Sequence, residues 1–152
     1  MGTMRFNHME LTFAPGTLDP LRPEISQFYR ETFGWMSLDV NILGQNALLL
    51  GVDAEVSQFI LLAENPKPMQ SPGYDHLGVL VDTRAEVDGL LAKCKKARQE
   101  DERVKIKEYE DLVQEGVTVH AFYVKFLLPI YLDVQCIEWA KGSEPGRRWT
   151  YG

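Results

Sequence analysis

The chain has 152 residues, of which 45% are hydrophobic, 25% charged and 11% aromatic, and its formal net charge at pH 7 is −6. A chain of this length buries about two-thirds of the surface that its unfolded form exposes, so it can fold without a stabilising cross-link. The acidic balance argues against nucleic acid as the main partner. Neither a secretory signal nor an apolar run of the ~18–20 residues that cross a bilayer is visible, so we expect no membrane partner.

The number and spacing of the cysteines indicate a reducing compartment. Cys94 and Cys136 are the only two cysteines, which is too few for a disulfide framework, and they are not spaced as a zinc pair. We therefore expect free thiols and a cytoplasmic location.

The first half of the chain predicts one strand, one helix and three further strands. Residues 5–13 alternate so that His8 and Glu10 share one face of a strand. The helix follows in "PEISQFYRETFGW", where Pro23 suits the first turn and Gly34 a C-terminal stop. The three strands are the short apolar runs "MSLDVNIL", "NALLLGV" and "SQFILLAE".

After a Pro-rich connector at residues 65–74, the same pattern begins again. "DHLGVLVD" predicts a strand, and Thr83 is placed to cap the helix that follows it. Three more strands are predicted in "VKIKEYEDLV", "VTVHAFYVKF" and "IYLDVQCIEW", with Gly116 turning the first into the second. The tail, residues 140–152, is polar and rich in glycine.

The order β-α-β-β-β therefore occurs twice, in about residues 5–66 and 73–139. We predict an α+β fold in one domain made of two βαβββ modules. Each module presents a curved mixed sheet, and pairing the two modules encloses a central cleft.

Four segments carry a resemblance to a known group of proteins. They are "FNHMELTF", "FYRETFGW", "YDHLGVLVD" and "FYVKFLLPIYLDV". With them the chain resembles, over roughly residues 5–139, the vicinal oxygen chelate superfamily. That group includes glyoxalase I, methylmalonyl-CoA epimerase, the type I extradiol dioxygenases, and the fosfomycin and bleomycin resistance proteins. The motifs do not identify a member.

The resemblance implies a divalent metal ion in the cleft, bound by side chains from the first, fifth and eighth strands. A fourth ligand often comes from the fourth strand. Carried over by position, the ligands are His8, His76 and Asp133. Glu138 is the alternative to Asp133 if a bulge shifts the register of the last strand. Gln58 is the only polar candidate on the fourth strand. The resemblance also implies a small-molecule substrate and a homodimer.

The residue types suit this chemistry. Two imidazoles and one carboxylate can hold iron or manganese and leave open positions for a bidentate oxygen substrate. The same ligands suit nickel, cobalt or zinc as a Lewis acid. A carboxylate inside an apolar strand is costly unless it is paired, hydrogen-bonded or metal-bound. The structural alternative is two satisfied histidines and an Asp133 bonded to a neighbour or to water.

Two departures from the superfamily pattern weaken the parallel. The turn that many members write "DPDG" is replaced by "FLLP" at residues 126–129. The fourth strand, "SQFILLAE", has no glutamate in its interior, which weakens a glyoxalase I interpretation in particular.

Three residues are candidates for acid–base chemistry. Tyr123 lies on the penultimate strand, where the resemblance to extradiol dioxygenases implies a hydrogen bond to the substrate oxygen. The favoured alternative is an aromatic side chain that packs across the hairpin. Glu10 shares a face with His8 and is the candidate base. His120 is a weaker one, expected near the edge of its sheet.

The sequence leaves three functions open. The first is a metal-dependent lyase, isomerase or ring-cleaving dioxygenase acting on a substrate with vicinal oxygens. The second is a metal-free protein of the bleomycin-resistance type that sequesters an aromatic or drug-like ligand, which the two departures favour. A structural partner with a degenerate site is a third reading that no residue supports directly.

Overall fold

The computed structural model describes residues 4–146, so the last part of the predicted polar tail, residues 147–152, lies outside the described residues. The elements follow in chain order as β1 (His8–Phe13), a short 3-10 helix (Asp19–Leu21), α1 (Arg22–Phe33), β2 (Met36–Ile42), β3 (Gln45–Gly51), β4 (Phe59–Glu64), β5 (His76–Leu80), α2 (Arg84–Glu100), β6 (Lys105–Glu108), β7 (Leu112–Gln114), β8 (Val117–Lys125) and β9 (Tyr131–Trp139). Within residues 4–146, no helix is long and apolar enough to span a membrane.

The chain forms two compact units. Of the described residues, the first unit contains 4–75 together with Lys125–Tyr131. The second contains His76–Val124 and 132–146. The segment that joins β8 to β9 therefore belongs to the first unit.

Each unit is built on one sheet, and the two sheets share a strand order. The first sheet runs β1-β4-β3-β2, with β1 and β4 parallel and the other pairs antiparallel. The second runs β5-β9-β8-β6, with β7 also paired to β8. In both sheets the first strand of the module lies at an edge beside the last strand. The predicted α+β fold with a repeated order of elements is confirmed.

One predicted strand is wrong. The segment "VKIKEYEDLV" forms two short strands, β6 and β7, instead of one. Between them, the Asp111 carboxylate accepts hydrogen bonds from Arg84 Nη2 at 2.6 Å and lies 2.7 Å from His120 Nδ1. The connection between the two strands holds Tyr109 and Asp111, whose side chains bind residues of other elements.

The helix boundaries follow the expected chemistry. Pro23 lies in the first turn of α1, where a missing N–H costs nothing. Gly34 ends the helix in the left-handed region at φ 71°, with its N–H donating to the carbonyl of Arg30. Thr83 caps α2 through a capping box with Glu86, in which each side chain accepts from the other's backbone N–H.

The "FLLP" segment is part of the core of the first unit. The ring of Phe126 packs 4.4 Å from the ring of Phe28 on α1. The hydroxyl of Tyr29 donates to the carbonyl of Phe126 at 2.8 Å. Burying one such phenylalanine contributes about 1.5–3 kcal/mol, so an apolar segment replaces a polar turn for packing reasons.

The core of the second unit lies between α2 and one face of the second sheet. Val87 and Cys94 of α2 are buried, as are Leu132 and Cys136 of β9. Both cysteines are free thiols, as the sequence predicts. Burial raises the pKa of the Cys94 thiol to about 12, so it remains a neutral core group.

Candidate functional site

Three side chains of the predicted site come from three adjacent strands of the second sheet. Asp133 lies on β9, and Tyr123 of β8 is its direct register partner. β5, which begins at His76, lies on the other side of β9. Because side chains alternate along a strand, Asp133 points away from the face that carries the buried Leu132 and Val134.

The structure brings these three residues into contact. Nε2 of His76 lies 3.7 Å from Oδ2 of Asp133. The rings of His76 and Tyr123 are 4.8 Å apart. A fourth residue, Tyr109, donates its hydroxyl hydrogen to Oδ1 of Asp133 at 3.1 Å and stands edge-on to Tyr123, with ring centroids 5.2 Å apart. We name His76, Tyr109, Tyr123 and Asp133 the β5–β9–β8 cluster.

Asp133 is the unusual member of this cluster, since only 7% of it is exposed. Burial raises the pKa of its carboxyl, while the hydrogen bond from Tyr109 and the charge of His76 act in the opposite direction; the net pKa is raised. Burial and the charge of Asp133 raise the pKa of Tyr109 well above its ordinary value. The phenol is therefore a hydrogen-bond donor over the whole physiological range.

Tyr109 is not among the site residues that the sequence predicts. The predicted strand "VKIKEYEDLV" includes it, whereas it follows the end of β6 and belongs to the connection to β7. A signal was available, because Tyr109 is the one aromatic residue in the charged stretch "KIKEYED". Its partner Asp133 is 24 positions away, and this pairing has no local pattern.

A divalent ion fits the two donor atoms that face each other in this cluster. Ions of the zinc and iron type lie about 2.0–2.2 Å from nitrogen and oxygen ligands, so two ligand atoms of one ion lie at most about 4.4 Å apart. The 3.7 Å between His76 Nε2 and Asp133 Oδ2 meets this condition. Over the described range 4–146, no group of three or more His, Cys, Asp or Glu side chains is arranged to hold an ion. The structure thus assembles two donors of the predicted set.

The other predicted ligands and the candidate base belong to the first unit. His8 is the first residue of β1 and is exposed; its Nδ1 lies 2.7 Å from Oδ1 of Asn7, and its ring stacks on Phe59 at 4.8 Å. Glu10 is exposed on the same strand. Gln58 precedes β4, and its backbone N–H donates to Oδ2 of Asp53 at 2.9 Å. Their roles toward a metal or substrate stay predictions.

The sheet face that His8 and Glu10 share is apolar in its centre. The strand register places Leu61 beside Glu10, and Leu49 beside Leu61. These two leucines form a buried cluster with Ala47 and Ala63. No ionisable residue occurs in 47–51 or 59–63.

Two further candidates, Glu138 and His120, lie away from the β5–β9–β8 cluster. By alternation Glu138 lies on the opposite face of β9 from Asp133, and it forms an ion pair with Arg84 of α2. His120 contacts Asp88 through Nε2 and Asp111 through Nδ1, both at 2.7 Å. Burial lowers the pKa of His120, but the two carboxylates outweigh it, and the net pKa is raised. These contacts hold α2 to the sheet.

No protein-family model and no curated protein sequence matches the chain. Solved structures do match its fold. A glyoxylase/bleomycin resistance protein/dioxygenase domain from Frankia sp. EAN1pec has a TM-score of 0.58 at 17% identity, covering 89% of this chain and 98% of its own. The fosfomycin resistance protein FosX from Listeria monocytogenes has a TM-score of 0.59 at 15% identity, covering 89% of this chain and 92% of its own.

A protein from Bacillus anthracis assigned to the glyoxalase family is similar in the same way. Its TM-score is 0.61 at 13% identity, with 91% of this chain and 98% of the other covered. The TM-scores show a shared fold, whereas identities of 13–17% carry no activity over to this chain. The chain has the α+β fold of the glyoxalase, bleomycin resistance and dioxygenase structures, as its resemblance to the vicinal oxygen chelate superfamily implies.

Proposed function

We propose that the protein is a small-molecule metalloenzyme in which His76 and Asp133 hold a divalent ion. The observation that carries the proposal is the 3.7 Å approach of His76 Nε2 to Asp133 Oδ2 on neighbouring strands. A buried carboxylate with a raised pKa is costly to keep charged, and a bound cation repays that cost directly. The shared fold with glyoxalase-type structures is consistent with this use of the sheet.

The bound ion and Tyr123 would have different roles in such a site. The ion, when bound, supplies a Lewis acid that polarises an oxygen of the substrate. Tyr123 adjoins His76 on the face that carries Asp133, so its hydroxyl is placed to donate a hydrogen bond to a substrate oxygen. The substrate class is a small molecule with vicinal oxygens, and the reaction is a lyase, isomerase or ring-cleaving dioxygenase step.

The test is the metal content of the purified, untagged protein after anaerobic reconstitution with Fe(II), Mn(II), Ni(II), Co(II) or Zn(II). The wild-type chain should retain about one ion per chain, and His76→Ala should lose it while its circular dichroism stays unchanged. His120→Gln is the matched control, because it removes a histidine outside the cluster and should retain the ion.

Either of two results contradicts the proposal. One is an ion retained by His76→Ala at the wild-type level. The other is a wild-type chain that binds none of the five metals, which leaves the metal-free ligand-binding function. His8→Ala, measured beside them, tests the ligand predicted for β1. The homodimer and the cytoplasmic location expected from the sequence stay predictions.

A further inference from the structure

Tyr109 contacts the one carboxylate of the β5–β9–β8 cluster, and no part of the proposed function uses it. Its hydroxyl donates to Oδ1 of Asp133 at 3.1 Å. The other oxygen, Oδ2, is the one that lies 3.7 Å from His76 Nε2. The two oxygens of a single buried carboxylate thus have different partners on different sides.

These two contacts fix the rotation of the Asp133 carboxylate about the Cβ–Cγ bond. That bond is a broad, roughly two-fold torsion with weak preferences of its own, so its angle is set by hydrogen bonds. Tyr109 is half-buried, and its ring stands edge-on to Tyr123, which limits its movement. A donor held in this way keeps Oδ1 turned toward itself and leaves Oδ2 toward His76.

We propose that Tyr109 is a positioning residue, whose hydroxyl orients Asp133 so that a single oxygen, Oδ2, is presented beside His76 for a cation. The inference rests on the proposed function for the cation, but its geometric content concerns the metal-free chain. Hydrogen-bond partners of metal ligands commonly affect metal affinity 10–100-fold. Tyr109 is a residue of this kind supplied from the connection between β6 and β7.

The experiment uses Tyr109→Phe, which removes the hydroxyl and keeps the ring that packs on Tyr123. Its control is Tyr74→Phe, which removes a hydroxyl from a half-exposed tyrosine in the first unit. The dissociation constant for Co(II) is measured by titration of the full-length chain, and crystal structures of the metal-free wild type and variant record the orientation of the Asp133 carboxylate.

We expect the Co(II) dissociation constant of Tyr109→Phe to rise about 10–100-fold, with Tyr74→Phe unchanged, and the carboxylate to turn away from its wild-type orientation. An unchanged dissociation constant or an unchanged carboxylate overturns the inference. If wild type binds Co(II), His76→Ala does not, and Tyr109→Phe binds normally, the inference fails and the proposed function stands. If wild type binds no metal, the proposed function fails, and the carboxylate orientation alone decides the role of Tyr109.

Discussion

The two sheets share a strand order but differ in what their inner strands carry. In the first sheet, the face shared with His8 is formed by Leu49 and Leu61, which belong to a buried apolar cluster. In the second, the face shared with His76 carries Asp133 and Tyr123 on its inner strands. Although the topology repeats, the inner strands on this face are apolar in the first unit and carry ionisable side chains in the second.

The difference extends to the other face of each sheet. In the first unit, the face opposite His8 carries the fully buried Leu11 and Leu62. In the second, the helix-covered face includes His120, which binds Asp88 and Asp111. The second unit thus holds polar groups on both faces of its sheet, and variants at matched places should show the contrast.

The largest effect is expected from placing a carboxylate on the apolar face of the first sheet. Leu61→Asp buries a charge with no partner, and we expect the free energy of unfolding to fall by about 3–5 kcal/mol in a urea titration. Leu61→Met, which keeps volume and polarity, is the control and should cost less than about 1.5 kcal/mol. A loss below about 1 kcal/mol for Leu61→Asp breaks the comparison.

A smaller effect of opposite sign is expected in the second sheet. Burial raises the pKa of the Asp133 carboxyl in the folded chain above its ordinary value. The metal-free wild type therefore loses free energy of unfolding as the pH rises from the ordinary carboxyl pKa through the raised one. Asp133→Asn cannot ionise, and it should be as stable as wild type or up to about 2 kcal/mol more stable at pH 7. Urea titrations from pH 3 to pH 7 should show this gain shrinking toward pH 3. A variant less stable at pH 7 contradicts the prediction.

The smallest effect is expected at His120 on the other face. Because its folded-state pKa is raised, its contribution is complete below about pH 6.5, the unfolded value, and is lost as pH rises through the folded value. His120→Gln should therefore cost roughly 1 kcal/mol at pH 5.5 and little at pH 9. Asp88→Asn removes one of the two carboxylate partners and should retain part of the pH dependence. A cost independent of pH contradicts the assignment.

The fold could be predicted from the sequence where the signals are local. Alternation along the strands, Pro23 and Gly34 at the ends of α1, and Thr83 before α2 each act within a few residues, and the structure agrees with them. The break between β6 and β7 could not be predicted, because it depends on bonds from Asp111 to residues distant in sequence.

The candidate site divides in the same way. Strand parity was enough to place Asp133 and Glu138 on opposite faces of β9. The contact of His76 with Asp133 was inferred from resemblance to a family, and the structure places the two side chains together. Tyr109 was missed because a hydrogen bond between a loop and a strand leaves no periodic trace in the sequence. The cleft predicted between the modules stays a prediction.

The segment between β8 and β9 has a consequence for the order in which the molecule is made. Phe126 completes the core around Phe28 and Tyr29, although about 97 residues separate it from Tyr29 along the chain. During synthesis, part of the apolar surface of the first unit therefore stays uncovered until most of the second unit has left the ribosome. Contacts this distant in sequence slow folding and prolong the exposure of apolar groups. Most of the first unit is made first, yet it is completed only when residues 125–131 have been made, shortly before β9 completes the second unit.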